Sequence, residues 1–397
     1  MAYLKFRADQ LFTGSEMLGS DHVLLCRPDG IIEGILPISE AGDGIRSLRG
    51  ILSPGFINCH CHLELSHLKG MIPEKTGMIQ FLLDVTGQRN VELERIEEAI
   101  EEAEKEMLKN GIVAAGDICN TSDTLFQKKK KKLAYHNFIE VIGFIEQTAG
   151  KRFALALEVY EQFRLAHQDH GHGPDDFQNH TSLAPHAPYS VSKTLMEMIA
   201  SYPGKGLISI HNQESPDENE FFLNKRGGFL KLYEALGIDI GFFHATGKTS
   251  LQNFLPILNK SPALMLVHNV FSSEEDISFA IESRSRQGSE LFWCLCPNAN
   301  LYINRQLPDI TLLEKKQCRI VVGTDSLASN HQLDILSELR TIHHHFPKIK
   351  IGSLLEWATI SGARALKMEQ WLGSFEKGKK PGLVLIDQDL QKAERLL

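Results

Sequence analysis

The chain of 397 residues has no uncharged apolar run of about 18 residues, so nothing in it reads as a membrane span. It lacks an excess of positive charge. The 42 Lys and Arg stand against 50 Asp and Glu, a net charge of −8. Phosphate binding needs a basic surface, so nucleic acid is disfavoured as a partner. The start, Met1-Ala-Tyr-Leu-Lys-Phe-Arg, has no apolar run of signal-peptide length. An even cysteine framework is also missing. Cys26, Cys59, Cys61, Cys119, Cys294, Cys296 and Cys318 are odd in number and irregular in spacing, which predicts reduced thiols in a cytoplasmic setting. No internal repeat of about 20–50 residues stands out. What is there, 42% hydrophobic and 23% charged residues with 31 Gly and 15 Pro, excludes disordered, collagen-like and coiled-coil chains.

The first fifty residues are short apolar pieces separated by turns, which reads as a small β unit. From Ile51 the pattern changes. Eight apolar runs follow: Ile51–His60, Ile112–Ile118, Phe138–Phe144, Ser182–His186, Leu207–His211, Ala263–His268, Leu291–Cys296 and Arg319–Asp325. Continuous apolar runs suit parallel strands covered on both faces. Helical stretches lie between them at Arg95–Asn110, Ser192–Ser201, Ser250–Asn259, Ser272–Ser283 and His331–His345. The alternation predicts a (β/α)8 barrel over residues 54–370. The tail returns to turn and strand character through Leu383-Val384-Leu385-Ile386. The small β domain is therefore expected to be discontinuous, built from 1–53 plus 371–397. Lys128–Lys132 reads as a solvated helix face or loop in so acidic a chain. His343-His344-His345 reads as surface.

Reactive groups of a barrel sit at the C-terminal ends of its strands. Here those ends carry His60 and His62, His186, His211, His268 and Asp325. Residues i and i+2 of a strand point the same way, so His60 and His62 can grip one ion while Cys59 and Cys61 face the helices. The same parity puts Cys294 and Cys296 on one face. A competing reading joins these four cysteines in a thiolate zinc site, which would expel both histidines from the barrel mouth. Glu214, three residues past His211, can reach the same ion without binding it, as a proton carrier. It also fits a plain helix N-terminal acid, because Ser215-Pro216-Asp217-Glu218 looks like a helix start. Glu218 and Glu220 are read only in that second way.

Ser53-Pro54-Gly55-Phe56-Ile57-Asn58-Cys59-His60-Cys61-His62 resembles the opening motif of the amidohydrolase superfamily. Further stretches resemble its purine-deaminase branch, which holds S-adenosylhomocysteine/methylthioadenosine, guanine and aminodeoxyfutalosine deaminases. They are Ala184-Pro185-His186-Ala187-Pro188-Tyr189-Ser190, Ile210-His211-Asn212-Gln213-Glu214-Ser215, Val267-His268-Asn269, Cys296-Pro297-Asn298-Ala299-Asn300 and Gly323-Thr324-Asp325-Ser326. The resemblance runs from about Ile51 to Ile386, with the motifs in the family's order.

It implies that His60, His62, His211 and Asp325 hold one divalent ion, zinc first and iron(II) second. It gives catalytic roles to Glu214, His268 and Asp325. It makes His186, Asn298, Asn300 and Ser326 substrate-binding residues, with Asn298 and Asn300 shaping the loop after the seventh strand and Ser326 also supporting Asp325. Two-metal members carry a lysine where this chain has His186, so one metal is expected. The implied reaction is hydrolytic release of ammonia from an aminated heterocycle, foremost an adenine nucleoside derivative, by a homodimer acting on a small molecule. The alternatives are a hydrolase acting on a cyclic amide or a substituted triazine, and a metal-binding barrel without catalysis. Two departures stand out. Asn212-Gln213-Glu214-Ser215 replaces the usual x-Ala-Glu-Thr after the histidine, keeping the Glu. Where nucleoside deaminases place a ribose-binding Glu downstream of the His pair, this chain offers Asp84 and Gln88. His62-Leu63-Glu64-Leu65-Ser66 resembles aminodeoxyfutalosine deaminase-like members, which makes Glu64 a substrate-side candidate.

Overall fold

The computed structural model describes residues 3–168, 180–202 and 206–397. Two four-stranded parallel sheets form the body of the chain. The first holds β1 (Phe56–Cys61), β2 (Ile112–Cys119), β3 (Ala134–Val141) and β4 (His180–Pro185), in the order β4-β3-β2-β1. The second runs β5 (Leu207–Asn212), β6 (Ala263–His268), β7 (Glu290–Leu295) and β8 (Arg319–Val322). The half-sheets join at both seams. His211 N–H donates to the His186 carbonyl at 2.9 Å, and the N–H groups of Thr324 and Asp325 both donate to the His60 carbonyl at 3.0 Å. Cys61 and Asp325 also pair as an isolated parallel bridge. The result is a (β/α)8 barrel. β2, β3 and β6 are buried at every position, as strands covered on both faces must be.

Helices cover the outside, and the sequence starts them locally. Leu93–Lys109 buries Ile100, Ala103 and Met107 at helical spacing. It ends before Gly111, whose φ of 82° a side chain would resist. Ser192 caps Lys193–Ser201, Thr249 caps Ser250–Leu258, and Ser273 with Asp276 forms a capping box on Glu274–Ser285.

The chain ends build two further sheets. One has Ile32–Pro37, His22–Cys26, Leu4–Arg7 and Ile45–Ser47. The other has Ala393–Arg395, Leu383–Ile386, Ile51–Pro54, Gln10–Phe12 and Met17–Gly19. Leu383–Ile386 pairs antiparallel with Ile51–Pro54. Leu11, Leu24, Leu52, Phe375 and Leu383 share one apolar cluster.

Several sequence readings need correction. Ile51–His60 is two strands, not one. Ile51–Pro54 belongs to the terminal sheet, and β1 begins only at Phe56. Gly55 makes the switch. Its N–H donates to the Pro381 carbonyl at 3.0 Å, and a Cβ there would lie 2.3 Å from a Val113 methyl. The third strand ends at Val141 rather than Phe144, because Phe144 joins the aromatic cluster of Phe221, Tyr233 and Phe243. Lys128 is not solvated. It is 2% exposed and ion-paired with Asp117, while Lys129, Lys130, Lys131 and Lys132 are exposed. All seven cysteines are free. No four-thiolate centre forms among the described residues. Cys59 packs toward Gly362 and Cys294, whereas Cys61 lies against Asp117. No helix among the described residues is long and apolar enough to cross a membrane.

Candidate active site

His60 lies within β1 and His62 follows its last residue, so the two imidazoles emerge on one face. Their Nε2 atoms are 3.2 Å apart. Asp325 Oδ1, just past the end of β8, lies 3.3 Å from His62 Nε2 and 3.7 Å from His60 Nε2. His211 of β5 brings its ring centroid to 4.9 Å from that of His60. Ligand atoms of all four residues lie within 4.8 Å of one another, and all four are buried. Gly323 allows this approach, since a Cβ there would meet His60 atoms at 2.8 Å.

The surroundings suit these groups to bind a cation. Burial, reinforced by neighbouring imidazoles, lowers His60 and His211 to about 3 and pushes His62 well below its ordinary value. All three are therefore neutral and carry lone pairs. His211 Nδ1 donates to the His186 carbonyl at 2.8 Å, which fixes the tautomer with Nε2 unprotonated. Three neutral imidazoles and one carboxylate form the donor set of a divalent-metal site. Asp325 has φ of 58°, an uncommon value for a residue with a side chain. Its Oδ2 accepts from Ser329 Oγ at 2.7 Å. Ser326, read from the sequence as the support of Asp325, instead contacts Ser329 Oγ at 3.1 Å and lines the cavity.

Glu214 and His268 face each other beside the four. Glu214 Oε1 is 3.5 Å from His268 Nε2. Burial, with help from Asp325 and Glu218, pushes the Glu214 carboxyl well above the ordinary range. Burial and the surrounding histidines hold His268 well below its own. Glu218 does more than start a helix. Its carboxylate accepts the N–H of Gln213 at 3.0 Å and of Glu214 at 3.3 Å. The Asn300 amide donates to His268 Nδ1 at 2.9 Å, leaving the proton on Nε2, toward Glu214. His268 has φ of 75° and Gln213 of 46°. Left-handed backbone thus clusters at these strand ends.

A cavity of about 280 Å³ opens over the cluster. Its floor holds His62, His186, His211, Glu214, His268 and Asp325. Much of its wall is apolar, with Phe81, Phe144, Tyr189 and Tyr233. His186 Nδ1 is engaged by Ser190 Oγ at 2.6 Å, which leaves Nε2 as the nitrogen available to a ligand.

Three candidates sit elsewhere. Glu64 does not line the cavity. Its carboxylate accepts from Arg89, from the N–H groups of Asn120 and Thr121, and from the Thr121 hydroxyl. Asn298 is turned to the helix Ile335–His345, bonded to Glu338, Ser337 and Thr341. Asn300 acts on His268 rather than on the cavity. Two residues were missed. Glu140 lines the cavity, with Oε2 accepting from Asn120 at 2.7 Å and Oε1 4.0 Å from His211 Nδ1. A lone acid inside the apolar run Phe138-Ile139-Glu140-Val141 was the available signal. Arg89 also lines the cavity, but nothing local in the sequence marks it.

Known proteins resemble the chain in sequence and in fold. An adenosine deaminase of Helicobacter pylori is 28% identical over 338 residues, covering 84% of this chain and 78% of that protein. The crystal structure of Helicobacter pylori aminofutalosine deaminase in complex with methylthio-coformycin superposes with a TM-score of 0.80 at 23% identity, covering 99% of this chain and 97% of that one. An adenosine deaminase structure from Xanthomonas campestris with bound zinc gives a TM-score of 0.75 at 22% identity, covering 98% and 89%. The amidohydrolase family profile matches residues 51–395. The chain belongs to the amidohydrolase family.

Proposed function

We propose that the chain is a metal-dependent hydrolytic deaminase that releases ammonia from an aminated heterocycle, an adenine nucleoside derivative such as aminodeoxyfutalosine, S-adenosylhomocysteine, methylthioadenosine or adenosine. One observation carries the reading. A buried acid with a raised pKa, Glu214, stands 3.5 Å from His268 beside a buried three-histidine, one-aspartate cluster. The names of its relatives support the same chemistry.

His60, His62, His211 and Asp325 would hold one divalent ion, with zinc first. When bound, it supplies Lewis-acid activation of water. The chain's own groups do the rest. Asp325 takes a proton from the attacking water. The water oxygen bonds to the ring carbon that bears the exocyclic amine. Burial raises the Glu214 carboxyl and so favours its protonated form, from which it donates to the adjacent ring nitrogen. His268 donates from Nε2 to the oxygen that has added. The proton taken from water is relayed to the amine, the carbon–nitrogen bond breaks as the added hydroxyl becomes a carbonyl and returns its proton to Glu214, and ammonia leaves. Without that proton the leaving group would be an amide anion. His186 contacts the substrate through Nε2 and Ser326 borders it, while the apolar wall excludes water. The reading includes a homodimer and a cytoplasmic setting, both resting on the family resemblance and on composition. It also includes a division into 1–53 plus 371–397 and 54–370, supported by the pairing of Ile51–Pro54 with Leu383–Ile386.

The test is ammonia release by zinc-loaded protein from adenosine, methylthioadenosine, S-adenosylhomocysteine, aminodeoxyfutalosine, guanine, cytosine and a chlorotriazine. Ammonia from an adenine nucleoside is expected. Chloride release from the triazine, or ring opening of a cyclic amide, with no ammonia from any adenine nucleoside overturns the reading.

A further inference from the structure

Lys128 is a buried charge that the chemistry of the cavity does not use. It closes the short helix Leu125–Lys128. Its ammonium carries three donors, and three acceptors answer them: Asp117 Oδ2 at 2.5 Å, Asn137 Oδ1 at 2.7 Å and Cys119 Sγ at 3.3 Å. The rings of Tyr135 and Phe163 flank it at 4.8 and 5.0 Å. A charge buried this deeply persists only when it is paired and fully bonded.

Asp117, on β2, faces two ways. While Oδ2 holds Lys128, Oδ1 accepts the Leu63 N–H at 2.8 Å and the Cys61 thiol at 3.6 Å. Leu63 directly follows His62. It opens the turn Leu63–Leu68, whose start has no capping side chain of its own. Leu63 is fully buried, so without Asp117 its N–H would be an orphan. The ladder between β1 and β2 also slips between Asn58 and Cys61 and resumes with Cys61 opposite Asp117. The chain around the two histidines is thus tied at separate points. His60 is held through its carbonyl by Thr324 and Asp325 just past β8, and the peptide after His62 is held by a side chain of β2.

We propose that Asp117 is a positioning residue for the metal site, with Lys128 offsetting its buried charge. The carboxylate ties down the backbone just past His62 and so sets where that imidazole meets His60, His211 and Asp325. This rests on the reading of those four residues as a metal site.

Two charge-neutral double variants test it, Asp117→Asn/Lys128→Met and Asp117→Leu/Lys128→Met. Both remove the ion pair, but only the first keeps an oxygen for the Leu63 N–H. Zinc affinity is read by chelator competition, and the thermal midpoint is read on the metal-free proteins. At comparable midpoints, Asp117→Leu/Lys128→Met should bind zinc about 10–100-fold more weakly than the parent, and Asp117→Asn/Lys128→Met should match it. Equal zinc affinity in the two doubles overturns the proposal, whether both match the parent or both fall. If Asp117→Leu/Lys128→Met does not fold, Leu63→Pro deletes the same N–H with the ion pair intact, at a helix start that accepts proline. It should weaken zinc to the same degree, and parental affinity there overturns the proposal equally. A parent that binds no zinc and releases no ammonia is a different result, and it sinks the metal-site reading itself.

Discussion

His268 Nε2 lies 3.5 Å from Glu214 Oε1, and both side chains are buried at the floor of the cavity. Burial drives the two titrations apart. The carboxyl is pushed up and the imidazole down, which favours a protonated acid beside an uncharged histidine. Two neutral donors then face the place where an oxygen adds and an amine leaves.

Glu214→Gln should therefore keep the metal and lose turnover. The expected fall in kcat is about 10²–10⁴-fold. Ammonia release and zinc content measured on the same preparation check it. Parental kcat in the variant would remove Glu214 from the proton path.

Ser329, rather than Ser326, bonds Asp325. Ser329→Ala should weaken zinc by about 10–100-fold, the usual cost of losing a partner of a ligand. Ser326→Ala should leave zinc affinity unchanged. Chelator competition on the two variants decides between them.

Removing the metal should also lower thermal stability, because the folded chain alone presents the four ligands together. With free zinc at about 1,000 times its dissociation constant, the loss is about 4 kcal/mol. Calorimetry before and after chelation reads it. An unchanged midpoint would mean that these residues hold no ion.

Glu338 gives a pH signature away from the site. Burial pushes its carboxyl up to about 8, above its value in the unfolded chain. Between those two values the folded state binds more protons than the unfolded one. Stability from this group is therefore present at low pH and is lost as pH rises toward 8. The slope approaches about 1.4 kcal/mol per pH unit. Denaturation of Glu338→Gln and the parent, compared from pH 5 to 8, should show the parent losing stability relative to the variant as pH rises.

The barrel and the four clustered residues were legible because their signals are local. Apolar runs mark parallel strands. Parity on a strand puts His60 and His62 on one face, and a polar residue at a strand's end in a barrel points at the mouth. Where contacts cross the sequence, the signal failed. Ser326 and Ser329 are equally good candidates on paper, and only the turn after Asp325 selects Ser329. Glu64 stands two residues past His62 and reads as substrate-facing, but the loop at Asn120 and Thr121 claims its carboxylate. Lys128 heads a run of five lysines and reads as solvent-exposed, yet it is the one whose position on a helical turn aims it at Asp117.

By itself, then, the sequence determined the alternation of strands and helices, the parity of the histidine pair, and which residues end the strands. Periodicity and side-chain chemistry are properties of short stretches of chain. The tertiary structure decided which buried group partners which. It turned Asn298 outward, set Asn300 behind His268, brought Glu140 and Arg89 to the cavity, and tied the peptide after His62 to Lys128 through Asp117. Those choices depend on distances between residues far apart in the chain, which only the closed barrel fixes.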